Sequence, residues 1–146
     1  MRLPDVNVLL HAVNSASPEH DRAARWLADA IDGEEGLALA WVALLGFIRI
    51  STRPGIFARP LSIDHALAIV EHWLRADGVR VVNPGERHAA ILSSLLRHAG
   101  SAGNLTTDAH LAALAIETDA LLGTFDRDFD RFPNLRVEHL AHASGP

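Results

Sequence analysis

Asp5, Asp108 and Asp126 are the residues of this chain whose type and setting could do chemistry together. Carboxylates brought close repel one another, so a group of them needs a cation or a shared proton. Hard divalent cations want oxygen ligands, and Mg²⁺ typically takes one or two carboxylates while keeping several waters. Magnesium chemistry is therefore what these acids suggest, provided that the fold brings them to one place. Taken singly, Asp108 also reads as a helix-start acid and Asp126 as a turn former.

The elements that carry them favour a meeting. Thr106–Arg131 reads TTDAHLAALAIETDALLGTFDRDFDR. Thr106 and Thr107 can cap a helix, and Asp108 in its first turn faces the positive end of the dipole. Leu111, Ala112, Leu114 and Ala115 follow at helical spacing, up to about Glu117 or Thr118. Asp119 breaks the pattern, Ala120–Thr124 reads as a short buried strand, and an acidic turn carries Asp126, Asp128 and Asp130. About ten helical residues descend roughly 15 Å, and five strand residues climb back about the same distance. Asp126 thereby returns to the level of Asp108, eighteen residues earlier.

The start of the chain adds a third acid. Arg2-Leu3-Pro4 reads as a very short strand that ends at Asp5 and runs into an apolar helix. Pro4 cannot donate to a sheet ladder, which places it at the strand's end. In open α/β sheets, ligands collect beyond the carboxyl ends of strands, where both Asp5 and Asp126 would sit.

Three segments together carry a family likeness: the D-x-N-x-L-L opening (Asp5, Asn7, Leu9, Leu10), the T-x-D-A-x-L-A-A-L-A segment (Thr106 to Ala115) and the closing T-F-D-R-D-F (Thr124 to Phe129). In this order and spacing, over roughly Met1 to Leu140, they resemble a PIN domain of the type found in VapC toxins of bacterial toxin–antitoxin pairs. The resemblance implies a three-layer α/β/α fold with a short central parallel sheet flanked by helices, in one domain over 1–140; the residues after it, 141–146, read as a flexible tail. It also implies an endoribonuclease that hydrolyses RNA phosphodiester bonds with Mg²⁺ or Mn²⁺, is restrained by a cognate antitoxin protein, and forms homodimers. Carried onto this chain, Asp5 and Asp108 become direct metal ligands and Asp126 either a third ligand or a water-mediated one. Asp128 holds the loop's shape or binds a water beside the metal. Asn7, Thr124 and Arg49 support the site or touch substrate. The apolar side chains on offer to an antitoxin are Trp41, Phe47, Phe57 and Phe125, at least half of which have a core role instead.

One departure stands out. The PIN pattern has a glutamate in the helix after the second strand, usually just before Phe-x-Arg. Here that place is Gly46, in Leu45-Gly46-Phe47-Ile48-Arg49, and no acid lies between Gly36 and Ser62. Gly46 allows close helix packing, or leaves the metal site one carboxylate short, or both. Its helix offset of three puts Arg49 near the place the glutamate would reach. A PIN-fold RNA- or protein-binding module with weak or lost catalysis is the alternative that this departure motivates.

Composition narrows the field. The chain has 146 residues, 49% of them hydrophobic, enough for one domain and its core. The absence of cysteine removes disulfides, thiolate zinc sites and cysteine nucleophiles. No apolar run reaches the length of a membrane span, and Asp5 and Asn7 interrupt what would be a secretory core, so a cytoplasmic protein is expected. A net charge of −5 argues against a broad basic grip on nucleic acid, although all 13 basic residues are arginine. Helices are expected over Pro18–Ile31, Trp41–Ser51, Ser62–Gly78 and Glu86–Ala99, with strands at Leu37–Ala40, Val79–Val82 and Leu135–Glu138. Thr52 to Pro60 is a connector. Alternating strands and helices mean a parallel sheet covered on both faces.

Other chemistries fit poorly. Asp126-x-Asp128-x-Asp130 begins like a calcium loop, but Arg131 stands where glycine is needed and Val137 where the bidentate glutamate belongs. Nine histidines include no H-E-x-x-H, and His110 points away from Asp108 around the helix. A phosphotransferase acting through an aspartate is disfavoured by the lack of lysine and of a D-x-D at the first strand.

Overall fold

Where both faces of the sheet are covered the strands are mainly apolar, as in Leu37–Leu39 and Leu121–Thr124, whereas the edge strands Val79–Val81 and Val137–His139 carry polar side chains. The computed structural model describes residues 1–55 and 57–140. Five strands, β1 (Arg2–Pro4), β2 (Leu37–Leu39), β3 (Val79–Val81), β4 (Leu121–Thr124) and β5 (Val137–His139), form one sheet in the order β3-β2-β1-β4-β5. Every pairing is parallel. Six α-helices accompany them among the described residues: α1 (Val6–Val13), α2 (His20–Asp32), α3 (Trp41–Ser51), α4 (Ile63–Arg75), α5 (His88–Ala99) and α6 (Thr106–Thr118). This is the expected α/β/α sandwich. None of the described helices is long and apolar enough to cross a membrane.

Strand order dictates which face each helix covers. The chain steps from β1 to β2 to β3 in one direction and then returns past β1 to β4, and right-handed crossovers send the two sets of helices to opposite faces. Two cores result. Leu37 and Leu39 of β2 point into the one built by α1 to α4, whereas Ala38 and Ala40 point into the one built by α5 and α6. The period-two alternation of side chains along a strand produces that split. Phe47 lies edge-on to Trp73 at 5.0 Å between centroids, tying α3 to α4. On the same face the Trp26 indole lies so close to Gly123 that a Cβ there would overlap it, so β4 requires glycine at this position.

Boundaries shift slightly. α6 is entered from a 3₁₀ turn over Gly103–Leu105, its N-cap is Leu105, and neither Thr106 nor Thr107 caps it. Ser17 does not cap α2 directly; its hydroxyl accepts from Glu19 N, and the helix begins at His20. Asp119 ends α6 in the left-handed conformation (φ 54°), with its N–H on the Ala115 and Ile116 carbonyls. The tail over 141–146 lies outside the described residues.

Candidate active site

Asp5 is fixed before any ligand is considered. Its own N–H continues the ladder to the Gly123 carbonyl at 2.9 Å. Its Oδ1 accepts from Val6 N at 2.7 Å and caps α1. Its Oδ2 accepts from the Thr124 hydroxyl at 2.9 Å. With 6% of its surface exposed, this carboxylate is a buried part of the frame.

Thr124 and Asn7 lock the end of β4 to the start of α1. The Thr124 oxygen accepts from Asp126 N at 3.0 Å and from Asn7 Nδ2 at 3.5 Å. With the bond donated to Asp5, the hydroxyl's one donor and two acceptor positions are all used. Asn7 Oδ1 accepts in turn from Phe125 N at 3.2 Å. These two residues therefore set where Asp126 stands.

Beyond β4 the chain turns through a 3₁₀ segment, Arg127–Arg131, capped by Asp126, whose Oδ1 accepts from Asp128 N at 2.9 Å. Asp108 approaches from the first turn of α6. Asp108, Asp126 and Asp128 each present one carboxylate oxygen within 4.8 Å of the others, the only such group of three ligating residues among those described. Asp128 thus stands inside the cluster, nearer than an outlying loop residue. Asp5 is held next to it, with both its oxygens engaged by the frame.

The charges register this crowding. Burial raises the Asp108 carboxyl to about 6, and the charges of Asp5, Asp126 and Asp128 push in the same direction. Burial also raises Asp5; the hydrogen bonds from Thr124, Val6 and Asn7 oppose that, and the charge of Asp126 adds to it. Four acids in one place, one of them holding its proton toward neutrality, are a site that lacks positive charge.

A small cavity of about 60 Å³ opens on two of these acids, Asp5 and Asp108, and Gly46, Arg49 and Thr107 line it with them together with apolar side chains. Position 46 does face the acids, and an added Cβ there would stand 3.0 Å from Val6 Cγ2, so glycine lets α3 close on α1. The cleft of about 360 Å³ beside Trp26 is larger, but its acids Asp21, Asp29 and Glu138 do not converge. The site also sits where the sheet order reverses between β1 and β4, the usual place for ligands in open α/β sheets.

The histidines take other work. His110 Nδ1 pairs with His88 Nε2 at 2.9 Å, joining α6 to α5, and His139 Nε2 meets Asp130 Oδ1 at 2.8 Å. Thr107, a candidate cap by its place in the sequence, is instead a wall of the cavity. Its signal in the sequence was its place beside Asp108, which does not by itself separate the two roles.

With this geometry in view, comparison with known proteins is informative. Residues 2–135 match the PIN domain family. The chain is 46% identical to ribonuclease VapC37 of Mycobacterium tuberculosis over 93% of its own length and 94% of that protein. It is 42% identical to ribonuclease VapC33 of the same organism, over 93% and 95%. The VapBC2 structure from Rickettsia felis, bound to a promoter DNA fragment, shares the fold with a TM-score of 0.67 at 18% identity, over 94% of this chain and 97% of that one.

Proposed function

The chain belongs to the PIN-domain family, among relatives named VapC ribonucleases, and from this premise we propose that it is a metal-dependent endoribonuclease, the toxin of a toxin–antitoxin pair. The observation that carries the reading is the convergence of Asp108, Asp126 and Asp128 beside the buried Asp5.

The residues present fit a hard divalent cation, Mg²⁺ or Mn²⁺. All the donors are carboxylate oxygens, and Asp108, raised by burial first and by its acidic neighbours after that, has charge that a cation would compensate. Asp108 and Asp126 would hold the ion, Asp5 would add its charge and an oxygen from the sheet side, and Asp128 lies close enough to join. When bound, such an ion supplies Lewis acidity and charge compensation to a phosphodiester. The chain's own part is positional. Thr124 and Asn7 hold Asp5 and Asp126 in register, so the acids do not have to be ordered at the moment of reaction. Thr107 and Gly46 leave room beside Asp108, and Arg49 sets a cation at the edge of the acidic cavity.

The partner in this reading is an antitoxin protein, by analogy with the VapBC assemblies that share the fold. Of the apolar side chains considered for such contact, Phe47 and Phe57 are buried, whereas Trp41 is 45% exposed and stands on α3 one turn from the exposed Leu45. A homodimer and a cytoplasmic site of action belong to the same proposal.

Gly46 favours a second reading, a PIN-fold binding module with weak catalysis, because the cavity lacks an acid from α3. One experiment separates the two. Purified protein is incubated with RNA in Mg²⁺, in Mn²⁺ and in chelator. Metal-dependent cleavage supports the ribonuclease; RNA binding without cleavage at any metal concentration supports the module. Rescue of growth by a co-expressed neighbouring reading frame tests the antitoxin.

A further inference from the structure

We propose that Arg49 is a substrate-binding residue of this site, taking a backbone phosphate of the RNA beside the carboxylate cluster. The inference rests on the ribonuclease reading above and adds to it the group that admits a polyanion to an acidic pocket.

Four observations lead there. Arg49 lines the cavity together with Asp5 and Asp108, three residues along α3 from Gly46. Its guanidinium has no hydrogen-bond or ion-pair partner among the described residues. Both oxygens of Asp5 already accept from the frame, and Asp108 stands with Asp126 and Asp128 in one crowded cluster of like charge. No carboxylate arises from α3 itself, since position 46 is glycine packed on Val6.

An unpaired arginine at the mouth of an acidic cavity has a definite chemical complement. A guanidinium presents a planar fork of donors that matches phosphate oxygens bidentately. RNA approaching a chain of net charge −5 meets repulsion, and with no lysine in the sequence every positive side chain that could offset it is an arginine or a histidine. Arg49 is the one arginine that lines this cavity. A solvated surface arginine with no role is the competing account, and binding measurements separate the two.

The test uses the full chain carrying Asp108→Asn, which removes cleavage in the proposed reading, and a labelled single-stranded RNA oligonucleotide. Adding Arg49→Ala should weaken binding about tenfold and reduce the slope of log affinity on log salt by about 0.7, the loss of one phosphate contact. Arg49→Lys should recover part of the affinity, because charge returns without the fork. In the otherwise unmodified enzyme, Arg49→Ala should raise KM about tenfold while the metal concentration for half-maximal cleavage stays put. Arg49→Gln replaces alanine should the latter lower the melting temperature. Affinity, salt slope and KM all within twofold of the parent would overturn the assignment of Arg49 and leave the ribonuclease reading standing. Undiminished cleavage by Asp108→Asn would overturn the ribonuclease reading, and the role of Arg49 with it.

Discussion

The Thr124 hydroxyl donates to Asp5 Oδ2 at 2.9 Å, across 119 residues of sequence. This one bond ties the ends of the two central strands, β1 and β4, at the point where acids from both must meet. It is completely buried, with Thr124 at 0% exposure.

Thr124→Val keeps the shape and removes the hydroxyl. It leaves Asp5 Oδ2 and Asp126 N without their partner, and a buried group so stranded costs about 1–3 kcal/mol. We expect that loss in denaturant unfolding, and a fall in cleavage of at least about tenfold because Asp126 loses its anchor. Thr124→Ser, which keeps the oxygen, should lie near wild type in both. Equal activity of the valine and serine variants would show that the hydroxyl does not position the acids.

The raised carboxyl of Asp108 fixes the sign of a pH effect. Its ordinary value is 3.8 and its folded value is about 6, so the folded protein binds this proton more tightly than the unfolded chain. The stabilisation is complete below about pH 3.8 and is lost as pH rises through about 6. In metal-free protein, wild type minus Asp108→Asn should therefore lose about 1 kcal/mol between pH 4 and pH 7, a value reduced for solvent screening, or roughly 2–4 °C in melting temperature. Saturating Mg²⁺ should abolish or reverse the trend, because binding to the folded state favours the ionised form. A difference that is flat with pH in chelator would remove the crowding of charge from the account.

Gly46→Glu adds an acid to α3 at the place where the family resemblance expects one, but its Cβ would stand 3.0 Å from Val6 Cγ2. The helix gains about 1 kcal/mol in propensity and loses about 1–3 kcal/mol to overpacking. Net destabilisation is expected, and Val6→Ala in the same chain should relieve it. The double variant should bind metal more tightly than wild type, read as a lower metal concentration for half-maximal cleavage. Unchanged metal dependence in a normally folded double variant would mean that a side chain at 46 does not reach the ion.

Much of this site was legible because it is built at strand ends. Asp5 follows a strand three residues long, and Asp126 follows another, so topology alone placed them together. The helix-and-return argument put Asp108 level with Asp126, as the structure has it. The cluster's membership was harder to read. Asp128 reads from the sequence as holding the loop's shape or binding a water beside the metal, and only the tight 3₁₀ turn capped by Asp126 folds it back onto Asp108. Thr106 and Thr107 looked like caps, yet the preceding 3₁₀ turn supplies the entry, and propensity cannot foresee that. The Trp26–Gly123 contact joins residues 97 apart in the sequence, so no local pattern announces it.

The most direct measurement is RNA cleavage by purified protein titrated with Mg²⁺, wild type beside Asp108→Asn. The account predicts no cleavage in chelator, half-maximal wild-type cleavage at about millimolar metal, as expected of a site that keeps several waters on the ion, and loss of cleavage in a variant that folds as well as wild type. Cleavage that survives in chelator, or an Asp108→Asn protein as active as wild type, would contradict it.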